Sequence, residues 1–429
     1  MIIDLKKKKP DLFLNFKKKI NQIYDFIIIG SGPAASILIN NLIKTKKKIL
    51  VLEKGGFEKT FYDDLASDNF KIKNSSRVFG VGGTSNKWSQ VYSLFSKTEM
   101  NNFENKNIWP LSYKDLFYWS KKVGPKYKFN VNNLGSEYIY KKKFYSRKFI
   151  EITKPLRFSK YFKSKKIDMI VNCEVESIEN FNKYNAAYFK FHNRGYFIKS
   201  KKLIVCAGGI ESSLLILRSL KNAKLKNLKN KKIVGRYFMD HPKCYVGEIK
   251  HPKKDLIKNL KLVYKKNINT YIGLSLFDNK KRLLNTYIRF EEKKFFLNLK
   301  KKIMLRIFLE MEPRFRNRIY LKKNLGKVDL LISKNETQVS KKLVKEIINF
   351  FSYNPKLEKL DFNKDKLVGA SHHMGGLSYP KIIDKNLKFR GLKNVFCCSS
   401  AVFPTSGSAN PTLVICALAQ RLSAYLNRI

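Results

Sequence analysis

Residues 25–56 read DFIIIGSGPAASILINNLIKTKKKILVLEKGG, and this stretch decides the fold. The apolar run at residues 26–29 predicts a strand that is buried on both faces, and a glycine-rich turn follows it directly. Residues 33–45 carry their apolar side chains on one side, which predicts a helix, and residues 49–52 predict a second buried strand. The stretch therefore predicts a strand, a turn, a helix and a second strand in close succession.

The turn and the end of the second predicted strand carry residues that suit a dinucleotide. Gly30 and Gly32 let the backbone turn tightly and approach a pyrophosphate, and the N-terminus of the following helix offers free N–H groups to that anion. Ala35 is small where helix and strand must pack closely, and Glu53 stands where a carboxylate accepts hydrogen bonds from ribose hydroxyls. An ordinary βαβ unit can also contain a glycine turn, but the helix, both strands and the acid together favour dinucleotide binding.

The chain of 429 residues is strongly basic, with 88 lysines and arginines against 33 aspartates and glutamates and a formal net charge of +55. Such a charge suits binding to nucleic acid or to an anionic membrane surface. Lysine far outnumbers arginine, however, and the lysines run through the whole sequence, whereas nucleic-acid sites depend on the bidentate contacts of arginine. We therefore expect a solvated basic surface with no specific nucleic-acid partner and only weak attraction to anionic surfaces.

The six cysteines are scattered and none has the spacing of a metal-ligand pair, so we expect buried thiols in a reducing compartment and no metal site. The first 20 residues lack the long apolar core of a signal peptide, and no run approaches the roughly 18 apolar residues that span a membrane. These features predict a cytoplasmic protein. Residues 6–19 are expected to be a solvated lead-in to the first strand, with a basic amphipathic arm on anionic lipid as the alternative.

Residues 77–90, RVFGVGGTSNKWSQ, form a second glycine-rich segment. A simple surface loop would explain the glycines, but Val81 and Trp88 are large apolar side chains that need cover. A loop that is wedged against a flat aromatic ligand would suit this mixture. Gly80, Gly82 and Gly83 allow unusual backbone angles, and Thr84, Ser85 and Asn86 supply short polar groups.

The middle of the chain predicts a second unit of the same kind and then a change of pattern. Residues 169–178 predict one strand, and residues 203–207 predict another, which Gly208 and Gly209 turn into a helix. This is the arrangement that the far half of a doubly wound sheet would have. From residue 244 to about 328, short alternating stretches predict an antiparallel sheet.

The C-terminal part of the chain is the second informative region, and residues 371–421 read SHHMGGLSYPKIIDKNLKFRGLKNVFCCSSAVFPTSGSANPTLVICALAQR. Asn410 is a natural N-cap, and Pro411 takes the first position of a helix predicted at residues 411–426. Taken alone, the His372-His373 pair in a glycine loop would be a satisfied or surface pair. Its interest comes from the segments around it.

Five segments that occur here in one order resemble the glucose-methanol-choline (GMC) oxidoreductase family of FAD enzymes. They are the opening stretch, the VGGTSNKW loop, the strand-AGG-helix unit, the Asp240-His241-Pro242 segment and the C-terminal block with SHHMGG and SSAVFPTSGSANPT. The resemblance implies an α/β fold, with an FAD-binding Rossmann-like (doubly wound) domain and an inserted antiparallel-sheet substrate domain. The implied boundaries are 22–95, 165–242 and 368–429 for the FAD-binding domain, 96–164 for a connecting region and 243–367 for the substrate-binding domain.

The resemblance also implies the residues of the site. His372 matches the family's catalytic base and Asn410 its partner. Because Tyr379 stands where the family usually has Met, His373 is an alternative base, and His241 is expected to fix a turn or to line the flavin. The VGGTSNKW loop has no His or Cys, so the FAD is expected to be non-covalent. Its implied contacts are Gly30, Gly32, Ala35, Glu53, Gly82, Gly83, Thr84, Asn86, Val175, Ala401, Pro411 and Thr412.

The reaction that the resemblance implies is the oxidation of an alcohol or sugar. A base removes the hydroxyl proton while the carbinol hydrogen leaves as a hydride to flavin N5, and an unidentified electron acceptor then reoxidises the cofactor. Two alternatives stay open. The chain could be a polycationic binding protein on an inactive flavoenzyme scaffold, or it could bind NAD(P), for which the VGGTSNKW and SANPT segments would have no role.

Overall fold

Two eight-stranded sheets dominate the described part of the chain. This computed structural model describes all residues except 7–9, 59, 62–64, 71, 73–75, 102–107, 133, 135–137, 142, 153, 155, 163–165, 259–262, 266–267, 277–285 and 296–297. The strands are β1 (Ile2–Asp4), β2 (Ile23–Ile29), β3 (Ile49–Leu52), β4 (Thr60–Phe61), β5 (Ala66–Asp68), β6 (Val78–Phe79), β7 (Val91–Tyr92), β8 (Tyr138–Tyr140), β9 (Phe144–Ile152), β10 (Asp168–Val171), β11 (Val175–Asn180), β12 (Asn185–Phe191), β13 (Arg194–Val205), β14 (Lys243–Ile249), β15 (Val263–Lys265), β16 (Ile268–Leu276), β17 (Tyr287–Phe295), β18 (Asn298–Phe308), β19 (Arg318–Lys322), β20 (Leu325–Asp329) and β21 (Val395–Cys397). The helices are α1 (Pro10–Ile20), α2 (Pro33–Leu42), α3 (Lys97–Asn101), α4 (Tyr113–Tyr127), α5 (Gly208–Lys221), α6 (Lys254–Lys258), α7 (Lys334–Phe351) and α8 (Pro411–Leu426).

The first sheet contains the unit that the opening stretch predicts. β2 is followed by α2 and β3, and β2 pairs in parallel with β3 on one side and with β13 on the other. Ile27 and Ile28 of β2 are fully buried, as the continuous apolar run predicts. The sheet order is β1-β10-β3-β2-β13-β12-β11, with β21 beside the C-terminal half of β13. The predicted α/β fold with a parallel, Rossmann-like sheet is confirmed.

The last helix, α8, packs directly against α2. Asn41 Nδ2 donates hydrogen bonds to Gln420 Oε1 at 2.9 Å and to Ser423 Oγ at 3.0 Å. α8 begins at Pro411, the residue that the sequence predicts, because proline suits the first helical position, where no intrahelical N–H bond is needed. The C-terminal helix therefore covers the helix of the first βαβ unit.

The single strand predicted at residues 169–178 is wrong, because the chain forms β10 and β11 there. Asn172 lies between them with a φ of +55°, a left-handed conformation that asparagine tolerates and that ends a strand. The N–H of Cys173 then donates to the backbone carbonyl of Glu53 at 2.9 Å. β10 joins the parallel sheet beside β3, whereas β11 pairs with β12 in an antiparallel meander that continues into β13.

The N-terminal segment is part of the first sheet, so the expected solvated lead-in is also wrong. β1 pairs in parallel with β10, and the α-amino group of Met1 bonds to Asp168 Oδ1 at 3.2 Å. Phe16 of α1 is buried against aromatic side chains of β12 and β13. The many lysines of this segment conceal one apolar contact that anchors the helix to the sheet.

The second sheet is antiparallel, with the order β14-β18-β17-β16-β9-β7, β15 on β16 and β8 on β9. β16 and β17 arise from the alternating stretches that follow residue 244, as predicted. β7, β8 and β9 precede residue 153, however, so this sheet is not confined to residues 243–367. β19 and β20 lie inside residues 243–367 but pair with β5 in a separate three-stranded sheet. The predicted boundary at residue 243 therefore does not coincide with a boundary of the sheet.

Three strands of the first sheet end at the same edge, as the carboxyl ends of parallel strands must. The N–H of Cys206, directly after β13, donates to Ile29 O at 2.7 Å, and the N–H of Cys398, directly after β21, donates to Val205 O at 2.9 Å. The turns after β2 and β13 and the loop after β21 therefore lie side by side. α8 begins at the end of that loop and brings its N-terminus to the same edge.

Candidate active site

A cavity of about 420 Å³ opens where the three strand ends meet. Its wall includes the turn after β2, the VGGTSNKW loop, the turn after β13 and the N-terminus of α8. Most of the residues predicted for the site lie in this wall: Gly30, Gly32, Glu53, Gly83, Thr84, Val175, His372, His373, Asn410, Pro411 and Thr412. The first glycine turn and the histidine pair, far apart in the sequence, therefore face one space.

Four other predicted site residues do not belong to the described cavity wall. Ala35 is fully buried in the core. Gly82 has a φ of +97°, and a Cβ there would lie 2.8 Å from a backbone nitrogen. Asn86 donates from Nδ2 to a carbonyl of its own loop at 2.9 Å, and the carbonyl of Ala401 accepts a backbone hydrogen bond at 2.9 Å. The structure therefore does not bring these four residues to the cavity with the other predicted site residues.

Glu53 ties three glycine-rich turns together. Its Oε2 accepts from the N–H of Ser31 at 2.9 Å and from the Ser31 hydroxyl at 2.6 Å. Its Oε1 accepts from the N–H groups of Gly55 at 3.0 Å and Gly80 at 3.2 Å. Burial raises the pKa of this carboxyl, and the four hydrogen bonds oppose that rise. Both oxygens are engaged by the protein, so the carboxylate holds the turns in place whatever else it binds.

The two glycines of the first turn are needed for different reasons. Gly30 has a φ of +96°, and a Cβ there would lie 2.6 Å from the carbonyl oxygen of Cys206, so the fold itself requires glycine. Gly32 is the N-cap of α2 with a φ of −72°, and no atom of the described chain lies within 4 Å of the place a Cβ would take. Open space at a helix N-terminus suits an anion, which the free N–H groups and the helix dipole would bind. The turn therefore fits a pyrophosphate.

The VGGTSNKW loop packs onto the first turn. A Cβ on Gly83 would lie 3.1 Å from Gly32 Cα, so the two glycine turns touch. The Trp88 indole N–H donates to Leu156 O at 3.1 Å, and its ring packs against two phenylalanine rings. Protein side chains thus supply cover for the tryptophan, while Trp88 and Thr84 also form part of the cavity wall.

His372 lies in a chain of hydrogen bonds at the histidine part of the wall. Its Nε2 is 3.0 Å from Asn410 Nδ2, its Nδ1 is 2.9 Å from His241 Nδ1, and its backbone N–H donates to Asp240 Oδ1 at 2.8 Å. The pairing with Asn410 is the one that the resemblance implies for a base and its partner. The contact with His241 is not predicted, because no local pattern shows that residues 241 and 372 meet.

His241 is held from two sides. Its Nε2 lies 2.8 Å from the carbonyl oxygen of Gly407 and 3.2 Å from that of Ser406, and its backbone N–H donates to Asp240 Oδ1 at 2.7 Å. Both carbonyls belong to the loop between β21 and α8. The sequence predicts that His241 fixes a turn or lines the flavin. The structure places it directly behind His372, outside the described cavity wall.

His373 has different neighbours although it also lies in the wall. Its Nε2 is 3.4 Å from Ser76 Oγ, and its ring centroid is 6.1 Å from that of Phe238. Its carbonyl accepts from the Ser400 hydroxyl at 2.6 Å. The two histidines that the sequence leaves as alternatives are therefore separated by geometry, because His372 contacts Asn410 and His373 contacts Ser76.

Burial keeps the three histidines of this region neutral. It is the main reason why the pKa of His372 lies well below the usual histidine range, and the positive charges of Lys243 and Arg289 act in the same direction. Burial also lowers the pKa of His241 and of His373. A neutral imidazole has one protonated nitrogen and one free lone pair, so such a ring can accept a proton.

Two buried oxygens here have no hydrogen-bond partner in the described part of the structure, Asn410 Oδ1 and Asp240 Oδ2. Nearly all buried polar atoms in folded proteins are paired, so such an atom at a cavity points to a ligand or a water molecule. Asn410 lies in the cavity wall and Asp240 does not. Of these two oxygens, Asn410 Oδ1 is therefore the one whose residue contributes to the cavity wall.

The thiols and carboxylates of the described residues do not form a metal site. All six cysteines are free and buried. No group of three His, Cys, Asp or Glu residues in the described ranges is arranged to hold a metal ion. Within those ranges, too, none of the helices combines the length and the apolarity needed to cross a membrane.

Two solved structures share this architecture. A crystal structure of pyridoxine 4-oxidase from Mesorbium loti matches with a TM-score of 0.61 and 11% identity, over 95% of this chain and 99% of that one. A formate oxidase of Aspergillus oryzae RIB40, solved in connection with FAD modification, matches with a TM-score of 0.64 and 11% identity, over 95% and 98%. At this level of identity the likeness is one of fold, and the fold is that of flavoenzymes with an FAD-binding Rossmann-like domain.

A family model matches the C-terminal part of the chain. Residues 316–419 match the model described as GMC oxidoreductase. The predicted resemblance to this family is therefore confirmed. An uncharacterized protein of Methanocaldococcus jannaschii is 27% identical over 422 residues, which cover 93% of this chain and 98% of that one.

Proposed function

We propose that the protein is an FAD-dependent oxidoreductase that oxidises a CH–OH group of a small alcohol or sugar. The observation that carries this proposal is that one cavity wall holds both Gly32, at a helix N-terminus that suits a pyrophosphate, and His372, bonded to Asn410. A phosphate-binding turn and a base with an amide partner are the parts that flavin-dependent alcohol oxidation requires of a protein. The match of residues 316–419 to the GMC oxidoreductase model supports the same chemistry.

The proposed cofactor is FAD, held without a covalent bond. Gly32 and the start of α2 would bind its pyrophosphate, and Pro411 and Thr412, in the first turn of α8, would face its ring system. Bound in this way, FAD supplies the acceptor for a hydride. Val175 lies in the wall and is proposed for the adenine side. Any ribose contact of Glu53 would share a carboxylate that already accepts four protein hydrogen bonds.

His372 is the proposed base. It is neutral, it lies in the cavity wall, and its Nε2 is the atom beside Asn410 Nδ2. A substrate hydroxyl within about 2.6–3.2 Å could replace that amide as the donor to Nε2 and pass its proton to the ring. The displaced N–H of Asn410 would then donate to the hydroxyl oxygen and orient the carbinol carbon. Asn410 Oδ1, which has no partner in the described chain, could accept from a neighbouring hydroxyl of a sugar.

The N-terminus of α8 is proposed to stabilise negative charge. The first N–H groups of a helix lack intrahelical partners and carry the positive end of the helix dipole. α8 starts at Pro411 in the cavity wall, and the side chain of its N-cap, Asn410, makes no capping hydrogen bond. These N–H groups would therefore stabilise negative charge on a cofactor ring held in the cavity.

The electron acceptor is an unidentified small molecule or protein. The location is cytoplasmic, which six free, buried thiols support. The alternative, a polycationic binding protein without catalysis, would explain the charge of +55 but would leave the Asn410–His372 pair without a role. Weak attraction to anionic surfaces is compatible with either function.

The visible spectrum of the purified protein tests the proposal first. We expect the yellow colour of bound oxidised flavin, released by denaturation as free FAD. A panel of alcohols and sugars, added without oxygen, should then contain at least one compound that bleaches the yellow band. A colourless protein that cannot be reconstituted with FAD would contradict the proposal and support the binding-protein alternative. A protein that binds NAD(P)H instead would contradict the choice of cofactor.

A further inference from the structure

His241 is buried behind His372 and outside the described cavity wall, so it cannot be explained as a ligand contact. Its ring nevertheless makes hydrogen bonds at both nitrogens. Nε2 lies 2.8 Å from the carbonyl oxygen of Gly407, and Nδ1 lies 2.9 Å from Nδ1 of His372. The ring planes of the two histidines are nearly perpendicular, at 88°, with the centroids 5.1 Å apart.

The chemistry of the partners decides where the protons are. A carbonyl oxygen only accepts hydrogen bonds, so the Nε2 of His241 that faces Gly407 must carry its proton. In a neutral ring the other nitrogen, Nδ1, is then unprotonated and carries a lone pair that can accept a hydrogen bond. Two imidazole nitrogens 2.9 Å apart need one proton between them, so Nδ1 of His372 must be the donor. The remaining nitrogen of His372, Nε2, is left with a free lone pair.

We propose that His241 is a positioning residue that selects the Nδ1–H tautomer of His372 and so presents the lone pair of its Nε2 to the substrate hydroxyl. The proposal rests on the proposed function only in naming that hydroxyl as the proton donor. The tautomer itself follows from two sets of contacts: those of His241 Nε2 with the carbonyls of Ser406 and Gly407, and that of His241 Nδ1 with His372 Nδ1. Neutral imidazoles in water choose between two tautomers, and only one of them can act as a base through Nε2.

Asn410 provides a separate check of this assignment. If His372 Nε2 is a lone pair, the amide must present its Nδ2 to it and turn Oδ1 away. The structure has this orientation, with Nδ2 at 3.0 Å from Nε2 and with Oδ1 lacking a partner among the described residues. The opposite tautomer would place a proton on His372 Nε2. It would therefore favour the reversed amide, in which Asn410 Oδ1 accepts a hydrogen bond from that N–H.

The charged groups around the pair are compatible with a neutral His241. Asp240 lies beside it and favours a charged ring, as does Glu99, but burial outweighs both and lowers its pKa. On the His372 side, Lys243 and Arg289 oppose a second positive charge. A proton added to His241 Nδ1 would turn that atom into a donor and force His372 into the other tautomer.

The tautomer can be read directly by nitrogen NMR of the FAD-loaded protein, labelled with ¹⁵N only in histidine. The chain has five histidines, and single substitutions such as His192→Asn and His251→Asn would assign the signals that do not belong to the site. Protonated and unprotonated ring nitrogens resonate in separate ranges. We expect His372 to show a protonated Nδ1 and an unprotonated Nε2, and His241 to show the reverse.

Two substitutions of His241 separate the tautomer effect from simple loss of packing. In His241→Asn the side-chain oxygen can take the place of Nδ1 and still accept from His372. In His241→Gln the amide nitrogen can take the place of Nε2 and still donate to Gly407, but the acceptor for His372 is lost. Both are polar and of similar size. Flavin content and melting temperature, measured for both, verify that each variant is folded.

We expect His241→Asn to keep the wild-type nitrogen pattern of His372 and to reduce flavin within about threefold of the wild-type rate. In His241→Gln the Nε2–H form of His372 should appear, and the rate of flavin reduction should fall by about tenfold or more. Substrate binding should change little in either variant, so the loss should appear in kcat rather than in KM.

The outcomes of these experiments distinguish the failure of the tautomer proposal from the failure of the proposed function. A protonated Nε2 on His372 in the wild-type protein would overturn the tautomer proposal, whatever the enzyme does. Equal nitrogen patterns and equal rates in His241→Asn and His241→Gln would also overturn it. If the tautomer is as proposed but no alcohol or sugar bleaches the flavin, the proposed function fails while the role of His241 in fixing His372 stands.

Discussion

The site has a glycine end, at the turns around Glu53, and a histidine end, around His372, and the two differ in how their buried polar atoms are paired. At the glycine turns, both oxygens of Glu53 accept two hydrogen bonds each from the protein. At the histidines, Asn410 Oδ1 and Asp240 Oδ2 are buried without a partner in the described chain. A saturated network makes a region rigid, whereas an unpaired buried atom is costly unless something binds to it. This difference supports the proposed division of the site, in which the glycine turns hold the cofactor still and the histidine part exchanges hydrogen-bond partners with the substrate.

The histidine end should show the largest effect of any single substitution. We expect His372→Ala to slow flavin reduction by about 10²–10⁴-fold, the usual contribution of a general base, in stopped-flow measurements without oxygen. His373→Ala should change the rate by less than about tenfold, because His373 contacts Ser76 and not Asn410. His192→Asn is the control, since His192 is exposed in a turn whose left-handed conformation asparagine also adopts. A large loss in His373→Ala alone would assign the base to His373.

The glycine end should respond in stability rather than in chemistry. In Glu53→Gln an NH₂ group replaces one acceptor oxygen and faces two N–H or O–H donors that are left unpaired. We expect the free energy of unfolding to fall by about 1–3 kcal/mol for each unpaired donor, measured with urea. Glu176→Gln is the matched control, because Glu176 is partly exposed and forms a solvent-accessible ion pair with Lys190, and it should change stability by less than about 0.5 kcal/mol. Equal effects of the two substitutions would show that the Glu53 network adds little.

A side chain added at Gly32 should weaken the binding of FAD without lowering the stability of the fold. Gly32→Ala meets no protein atom within 4 Å, so it should fold with a wild-type melting temperature without FAD, yet bind FAD about tenfold or more weakly. Gly30→Ala, at a φ of +96° and 2.6 Å from a carbonyl oxygen, should fail to fold. Flavin fluorescence titration and thermal melting distinguish the two outcomes. Wild-type FAD affinity in Gly32→Ala would show that the open space is not the phosphate site.

The smallest expected effect concerns acid. The pKa values of His241, His372 and His373 are lowered in the folded protein. In mildly acidic solution the unfolded chain therefore binds protons at these residues that the folded chain does not bind. Their contribution to stability is complete above the ordinary histidine pKa of about 6.5 and is lost as pH falls from there toward the lowered values. In His372→Asn the decline of the urea midpoint between about pH 7 and pH 5.5 should be shallower than in the wild type. The same decline in both proteins would show that His372 does not carry it.

Short sequence patterns predicted the elements whose limits depend on neighbouring residues. β2, α2 and β3 follow from an apolar run, a glycine turn and one-sided apolar spacing, and α8 starts at Pro411 because asparagine and proline mark a helix start. Pairing between distant segments has no such signal. Nothing in the alternation of β9 says that it joins β16 rather than the first sheet, and the N-terminal lysines hide the contact of Phe16.

The candidate site divides in the same way. Its predicted wall residues are those that a family pattern or a turn singles out, such as Gly32 and Asn410. The contact between His241 and His372 joins residues that are 131 positions apart, and the loop carbonyls that fix the proton on His241 come from main-chain atoms. Main-chain contacts leave no trace in residue identity, so this part of the site could only come from coordinates.

The packing of α8 on α2 has a consequence for how the protein is made. Asn41 bonds to Gln420 and Ser423, so a helix near residue 40 is covered by one that is synthesised more than 360 residues later. Until residues 411–426 have been synthesised, the nascent chain exposes the side of α2 that α8 covers. Removal of α8 should therefore leave an aggregation-prone product that depends on chaperones, and not a smaller folded protein.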